Sequence, residues 1–181
     1  MFGIFITSPS NTFIVQFFNH FFYLKLILYF ILFLYMAKVF KIAICKNFKG
    51  KMITVPNVEA VAENGLVSDR YFKKNNDKKC QITLIETENI DYYNLTFGTS
   101  IAHIDFRRNI ITEGIKLNEL VGKEFNIGEV KVKAHDLCRP CKSLQDNLGQ
   151  KNIIKEFLQK GGLRCEILES GKIFVGDNIK V

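Results

Sequence analysis

From residue 36 onward the apolar residues fall in short runs punctuated by glycine and polar turns. Val39 to Cys45 (VFKIAIC) alternates in part and reads as a strand, turned by Phe48-Lys49-Gly50. Lys51 to Val55 reads as a second short strand, broken by Pro56-Asn57. Ala60 to Gly65 leads into the irregular polar loop Leu66-Val67-Ser68-Asp69-Arg70. Gln81 to Ile85 (QITLI) is a further strand, after which Thr87 is placed to cap a brief helix through Tyr93. Ile110-Ile111 and Ile115 to Leu120 flank Gly114, and Gly122 to Gly128 reads as a strand with a turn at each end. Glu129 to Ala134 (EVKVKA) alternates most clearly, with Val130 and Val132 on its inward face. Leu144, Leu148, Ile153, Phe157 and Leu158 recur near helical spacing, which predicts a helix over about 151–160 that begins earlier if the period is extended. Arg164 to Leu168 and Lys172 to Val175 are expected to pair as a terminal hairpin across Glu169-Ser170-Gly171. Many short strands and few short helices predict a mainly β fold, a closed or nearly closed β-barrel.

The pattern before residue 36 is different. Thr12 to Tyr35 is almost wholly apolar, with Lys25 its one charged residue. Twenty-odd such residues are long enough to span a bilayer as a helix. Lys38, Lys41, Lys46, Lys49 and Lys51 follow, so a true span would leave the domain in the cytoplasm. A mis-assigned start is the competing reading, because Met36-Ala37-Lys38-Val39 opens the first strand naturally. No basic segment precedes the run and no small-residue cleavage site follows it, which argues against a secretory signal. The expected organisation is an apolar extension over 1–35 and one domain over 36–181, with membrane contact only if 12–35 is a real anchor.

Net charge is +7, and Lys25 is the only contribution before residue 36, so the domain itself is basic. That surplus favours anionic ligands but is spread too thinly to choose among them. No run of five basic residues occurs, and Lys73-Lys74-Asn75-Asn76-Asp77-Lys78-Lys79 reads as a solvated loop and not a nucleic-acid patch. Five cysteines, an odd number, read as reduced thiols of a cytoplasmic protein.

Chemistry concentrates in the last third. Cys141 ends a Cys138-Arg139-Pro140-Cys141 motif, flanked by Arg139 and Lys142 at an expected helix start; both charges favour a reactive thiolate. Thioredoxin-like exchange through Cys138 and Cys141 needs a later cis-proline, and the only prolines are 9, 56 and 140. A structural zinc site would need His135, Cys138, Cys141 and the distant Cys165 to converge. Arg70, Arg108 and Arg164 are anion candidates, with Asn109 as a neutral partner. Gly161, Gly162, Gly171 and Gly176 read as backbone turns, and His103 as an ordinary loop or core residue.

Several segments, taken in order, resemble one family. These are Leu66-Val67-Ser68-Asp69-Arg70, the strand at 81–85, Phe106-Arg107-Arg108-Asn109-Ile110-Ile111-Thr112-Glu113-Gly114-Ile115, Arg139-Pro140-Cys141-x-x-Leu144, and the closing run Gly162 to Asp177. Together they resemble the MOSC domain, the molybdenum cofactor sulfurase C-terminal domain, from about Val39 to Val181. The resemblance implies a barrel-like fold with a pocket for molybdenum cofactor (molybdopterin). It implies that Cys141 corresponds to the cysteine that ligates molybdenum or carries a persulfide. Arg70, Arg108, Asn109 and Arg164, with Lys142 beside the cysteine, would be the residues near the anionic pterin. Ser68 departs from the family's glycine, Tyr71-Phe72 from its His-Ala, and Arg108 from a frequent Glu.

The implied activity is reduction of N-hydroxylated compounds or sulfur transfer to cofactor. The family's pyridoxal phosphate association belongs to a desulfurase domain not seen in this sequence, so a separate cysteine desulfurase or electron-donor protein is the expected partner. The alternatives from other classes are a non-catalytic cofactor carrier and a small zinc or dithiol redox protein.

Overall fold

The structure, a computed structural model, describes residues 36–48 and 50–181. The apolar stretch before residue 36, anchor or mis-assigned start, lies outside the described residues. Among those described, no helix is long and apolar enough to cross a membrane.

Eleven short strands and three short α-helices are described: β1 (Lys38–Ile44), β2 (Ile53–Val55), β3 (Asn57–Val61), β4 (Gly65–Leu66), β5 (Ile82–Glu86), α1 (Thr87–Phe97), β6 (Ile110–Glu113), β7 (Glu124–Ile127), β8 (Val130–Leu137), α2 (Lys142–Leu148), α3 (Ile153–Glu156), β9 (Leu163–Glu169), β10 (Gly171–Phe174) and β11 (Ile179–Lys180). Eight strands form one sheet in the order β11-β7-β8-β9-β5-β6-β1-β2, and β10-β3-β4 form a second. The fold is therefore mainly β with a few short helices. An isolated bridge between Lys38 and Asn178, and the Val39 amide donating to Asp177 O at 2.8 Å, bring the run-in to β11 against the start of β1. No ladder completes the circuit, so the sheet is not closed into a barrel.

Three central strands explain why their sequences lack clean alternation. β1, β5 and β6 are covered on both faces, as a continuous apolar run requires. Ile42, Leu84 and Ile110 point into one core with Phe125, Val132 and Leu163. Ala43, Ile85 and Ile111 point the other way, into a core shared with Ile90, Tyr93, Phe106 and Phe157 from the helical side. Each fully buried Ile or Leu contributes about 1.5–3 kcal/mol. β5 and β6 run parallel, in register Leu84 with Ile110, and α1 is the crossover that parallel neighbours require. Gly98 ends that helix in the left-handed region (φ 62°), its amide donating to Asn94 O.

Several expectations need correcting. β9 and β10 do not form a hairpin: β9 already pairs with β8 and β5, and β10 pairs with β3. Ser170 alone separates them, too short for a two-residue turn, and its hydroxyl instead accepts the Ala62 amide at 2.9 Å. Pro56 bends the chain without ending its extended run, since β3 starts at Asn57. Of the predicted helix over 151–160 only α3 (Ile153–Glu156) is helical, and the earlier extension is a separate helix, because Gly149 (φ 64°) terminates α2 by donating to Gln145 and Asp146 O. Leu144, Ile153 and Phe157 are buried, but Leu158 faces solvent at 58% exposure. Thr87 lies within the first turn of α1; Glu86 holds the N-cap position and makes no capping bond.

Candidate functional site

The start of β6 and the start of β5 are stitched by one side chain. Asn109 is 8% exposed. Its Oδ1 accepts from the Thr83 amide (3.2 Å) and hydroxyl (2.8 Å). Its Nδ2 donates to Asp69 Oδ2 at 3.3 Å and to Ala43 O at 3.4 Å. Asp69 in turn accepts the Cys45 amide at 3.0 Å and the Tyr71 amide at 3.1 Å. The tight turn that delivers Asp69 places Ser68 at φ 67°, a conformation that favours glycine. The polar loop read from sequence is thus a built platform that holds Arg70 beside Asn109.

Four guanidiniums meet on this platform. Arg70, Arg107, Arg108 and Arg164 line one cavity of about 110 Å³ together with Asn109 and Cys138. Tyr71, Lys79, Cys80 and Thr83 complete its wall, so five cations and no carboxylate face it. Arg108 Nε donates to Gly161 O at 2.9 Å and one terminal nitrogen to Phe106 O at 3.3 Å. The Arg70 guanidinium stacks over Tyr71, 4.7 Å from the ring centroid. Arg164 sits on β9 between Thr83 on one neighbour and Asp136 on the other. Arg107, in the left-handed region at φ 60°, donates to Gly50 O at 3.0 Å. Arg107 and Arg164 each also line a larger open depression, of about 780 and 660 Å³.

The two cysteines of the CxxC motif are placed differently. Cys138 is buried at 2% exposure and faces the arginine cavity. Burial pushes its thiol above the ordinary value, with Arg108 and Arg164 pulling in the opposite direction. Cys141 is exposed, at the N-cap position of α2. It does not line the cavity, nor does Lys142, whose ammonium pairs with Asp146 at 2.9 Å on the helix surface. Of the residues singled out from sequence, Arg70, Arg108, Asn109 and Arg164 come together; Cys141 and Lys142 stand outside.

The glycine pair beside this site is a close-approach device as much as a turn. The Cys138 amide donates to Gly162 O at 2.7 Å. A Cβ at Gly161 would overlap the Cys138 carbonyl, and one at Gly162 (φ 90°) would overlap that of Leu84. All five cysteines are unpaired. The four residues weighed as zinc ligands do not converge: His135 pairs with Glu166 at 2.9 Å, and Cys165 lies wholly buried in the core. Among the described residues no three His, Cys, Asp or Glu side chains cluster to hold a metal.

Sequence reasoning passed over Arg107, Lys79 and Cys80. Arg107 was legible only as half of an Arg-Arg pair. Lys79 lay inside a run that reads as solvent-facing, and reaches the site through its 2.9 Å pair with Asp136.

The family model described as the MOSC domain matches residues 69–180. The fold is similar to that of the YUAD protein from Bacillus subtilis, with TM-score 0.69 and 16% identity over 80% of this chain and 94% of that one. It is also similar to YiiM from Geobacillus stearothermophilus (TM-score 0.64, 17% identity, 80% and 74% covered). YiiM from Escherichia coli matches with TM-score 0.58 and 18% identity, over 77% and 68%. No curated protein matches the chain.

Proposed function

The chain belongs to the MOSC domain family, and on that premise we propose that it holds molybdenum cofactor at the arginine cavity, with Cys141 as the molybdenum ligand or persulfide carrier. The observation that carries this reading is the convergence of Arg70, Arg107, Arg108, Arg164 and Lys79 on a cavity free of carboxylates. Four guanidiniums in a partly desolvated pocket, with the half-exposed Lys79 at its edge paired to Asp136, attract an anion, and guanidinium forks match phosphate oxygens in pairs. The cavity itself is too small for a whole pterin, since sites for molecules of that size run to about 300 Å³ or more. It suits the anionic end of such a molecule, and the depressions sharing Arg107 and Arg164 offer room for the rest.

The donor chemistry also fits. A cysteine thiolate is a soft ligand suited to a metal such as molybdenum, and the exposed start of α2 presents Cys141 to an incoming group. When bound, the cofactor supplies oxygen abstraction from N-hydroxylated compounds. The chain's own residues bind and orient it and balance its charge. In the sulfur-transfer form of the reading, Cys141 accepts sulfur from a separate cysteine desulfurase; in the reductive form, electrons come from a separate donor protein. Either operates with reduced thiols in the cytoplasm.

Metal and pterin analysis of protein from a cofactor-competent host tests this. Wild type is expected to retain both molybdenum and pterin, and Cys141→Ser to lose molybdenum. Full molybdenum occupancy in Cys141→Ser would overturn the ligand assignment. Retained cofactor without turnover of any N-hydroxylated compound or sulfur acceptor would make the protein a carrier.

A further inference from the structure

Two thiols only three positions apart in the chain sit in opposite surroundings. Cys141 is open to solvent, where a partner protein can reach it. Cys138 is 2% exposed and lines the arginine cavity, which Cys141 does not. The connection over 139–140 has neither helix nor strand, and its three Cα steps span at most about 11 Å. Arg139 and Lys142 flank the outer thiol, while the charges of Arg108 and Arg164 act on the inner one.

We propose that the pair is a sulfur relay, in which Cys141 takes a sulfane sulfur from a persulfide-bearing donor at the surface and Cys138 carries it into the arginine cavity. The relay rests on the sulfur-transfer form of the function proposed above. The division of labour follows from access. A protein-borne persulfide cannot meet a thiol that is 2% exposed, and an acceptor seated among the guanidiniums faces Cys138 and not Cys141.

The step balances without an external oxidant. The Cys138 thiolate attacks the outer sulfur of the Cys141 persulfide; a bond forms between them, and the persulfide's own sulfur–sulfur bond breaks. Cys141 leaves as thiolate, and the transferred sulfur keeps its hydrogen. The proton given up by Cys138 goes to solvent and is matched by the one that the departing, exposed Cys141 thiolate takes up.

The test loads the full chain with heavy-isotope sulfur from a cysteine desulfurase fed labelled cysteine, or from labelled inorganic polysulfide. Persulfides are trapped by alkylation and located by fragmentation of the peptide spanning Cys138 and Cys141, which trypsin leaves intact at Arg139-Pro140. In wild type, desulfurase label is expected first on Cys141 and then on Cys138. In Cys138→Ser it stays on Cys141. In Cys141→Ser, desulfurase label on Cys138 is lost, while polysulfide, small enough to enter the cavity, still labels it. Three results overturn the relay: desulfurase label on Cys138 of Cys141→Ser at the wild-type rate, no label on Cys138 of wild type, or no polysulfide label on Cys138 of Cys141→Ser. If Cys141 alone is labelled, sulfur transfer stands and only the relay falls. If neither sulfur takes label from either donor, the sulfur-transfer reading falls with it.

Discussion

Asn109 Oδ1 receives both donors of Thr83, the amide at 3.2 Å and the hydroxyl at 2.8 Å, and so locks the start of β6 to the start of β5. The same amide group reaches Asp69, which makes one neutral side chain the junction of three segments that carry cavity residues. An amide suits this post because it can donate to a carboxylate while accepting from an amide and a hydroxyl.

Asn109→Leu should therefore cost about 2–3 kcal/mol, since it strips partners from the buried Asp69 carboxylate and the half-buried Thr83 hydroxyl. Urea denaturation of the apoprotein measures it. A loss below about 0.5 kcal/mol would mean that the network is decorative.

Ser68→Gly should stabilise the protein by about 0.5–1 kcal/mol. Ser68 is exposed at φ 67°, where a Cβ is strained and glycine is not, less the entropy that glycine loses on folding. A higher thermal midpoint is the expected reading; a lower one would show that the serine hydroxyl is needed.

Gly162→Ala should cost at least about 3 kcal/mol, because its methyl has only the Leu84 backbone to displace. Gly149→Ala is the control. It shares a positive φ of 64° but has nothing within 4 Å, so only the local strain of about 1–2 kcal/mol remains. Equal losses in the two variants would refute the close-approach account of the glycine pair.

Glu166 sets an acid limit on stability. Burial alone would raise its carboxyl, but hydrogen bonds from His135 and Lys78 override that and hold it below the ordinary carboxylate value. A depressed folded value means that its stabilisation is complete above the ordinary carboxylate range and is lost as pH falls through the folded one. Glu166→Gln should be less stable than wild type at neutral pH, with the gap closing on acidification. A gap that widens in acid would reverse the sign of this contribution.

Much of the sheet was legible because strands of four to eight apolar or alternating residues announce themselves locally. β1, β5, β7, β8 and β9 lie where the pattern places them. β10 was found, yet its partner was misread, since which edge a strand joins depends on edges already occupied. β11 has two residues, too few for a period to show. At the site, Arg70, Arg108, Asn109 and Arg164 were visible as residue types in recognisable segments. Arg107 was not, because its role comes from a left-handed turn that aims it across the chain at Gly50.

By itself, the order of residues determined the strand-rich character, the basic domain, the cysteine pair and the segments that mark the family. Those are local properties, written in hydrophobic period, charge and short motifs. Only the tertiary structure decided that five cations share one cavity, and that Cys138 faces it while Cys141 looks outward. The cavity walls come from positions as distant as Arg70 and Arg164, so their meeting is set by strand pairing and by the glycines that let Cys138 and Leu84 approach Gly161 and Gly162.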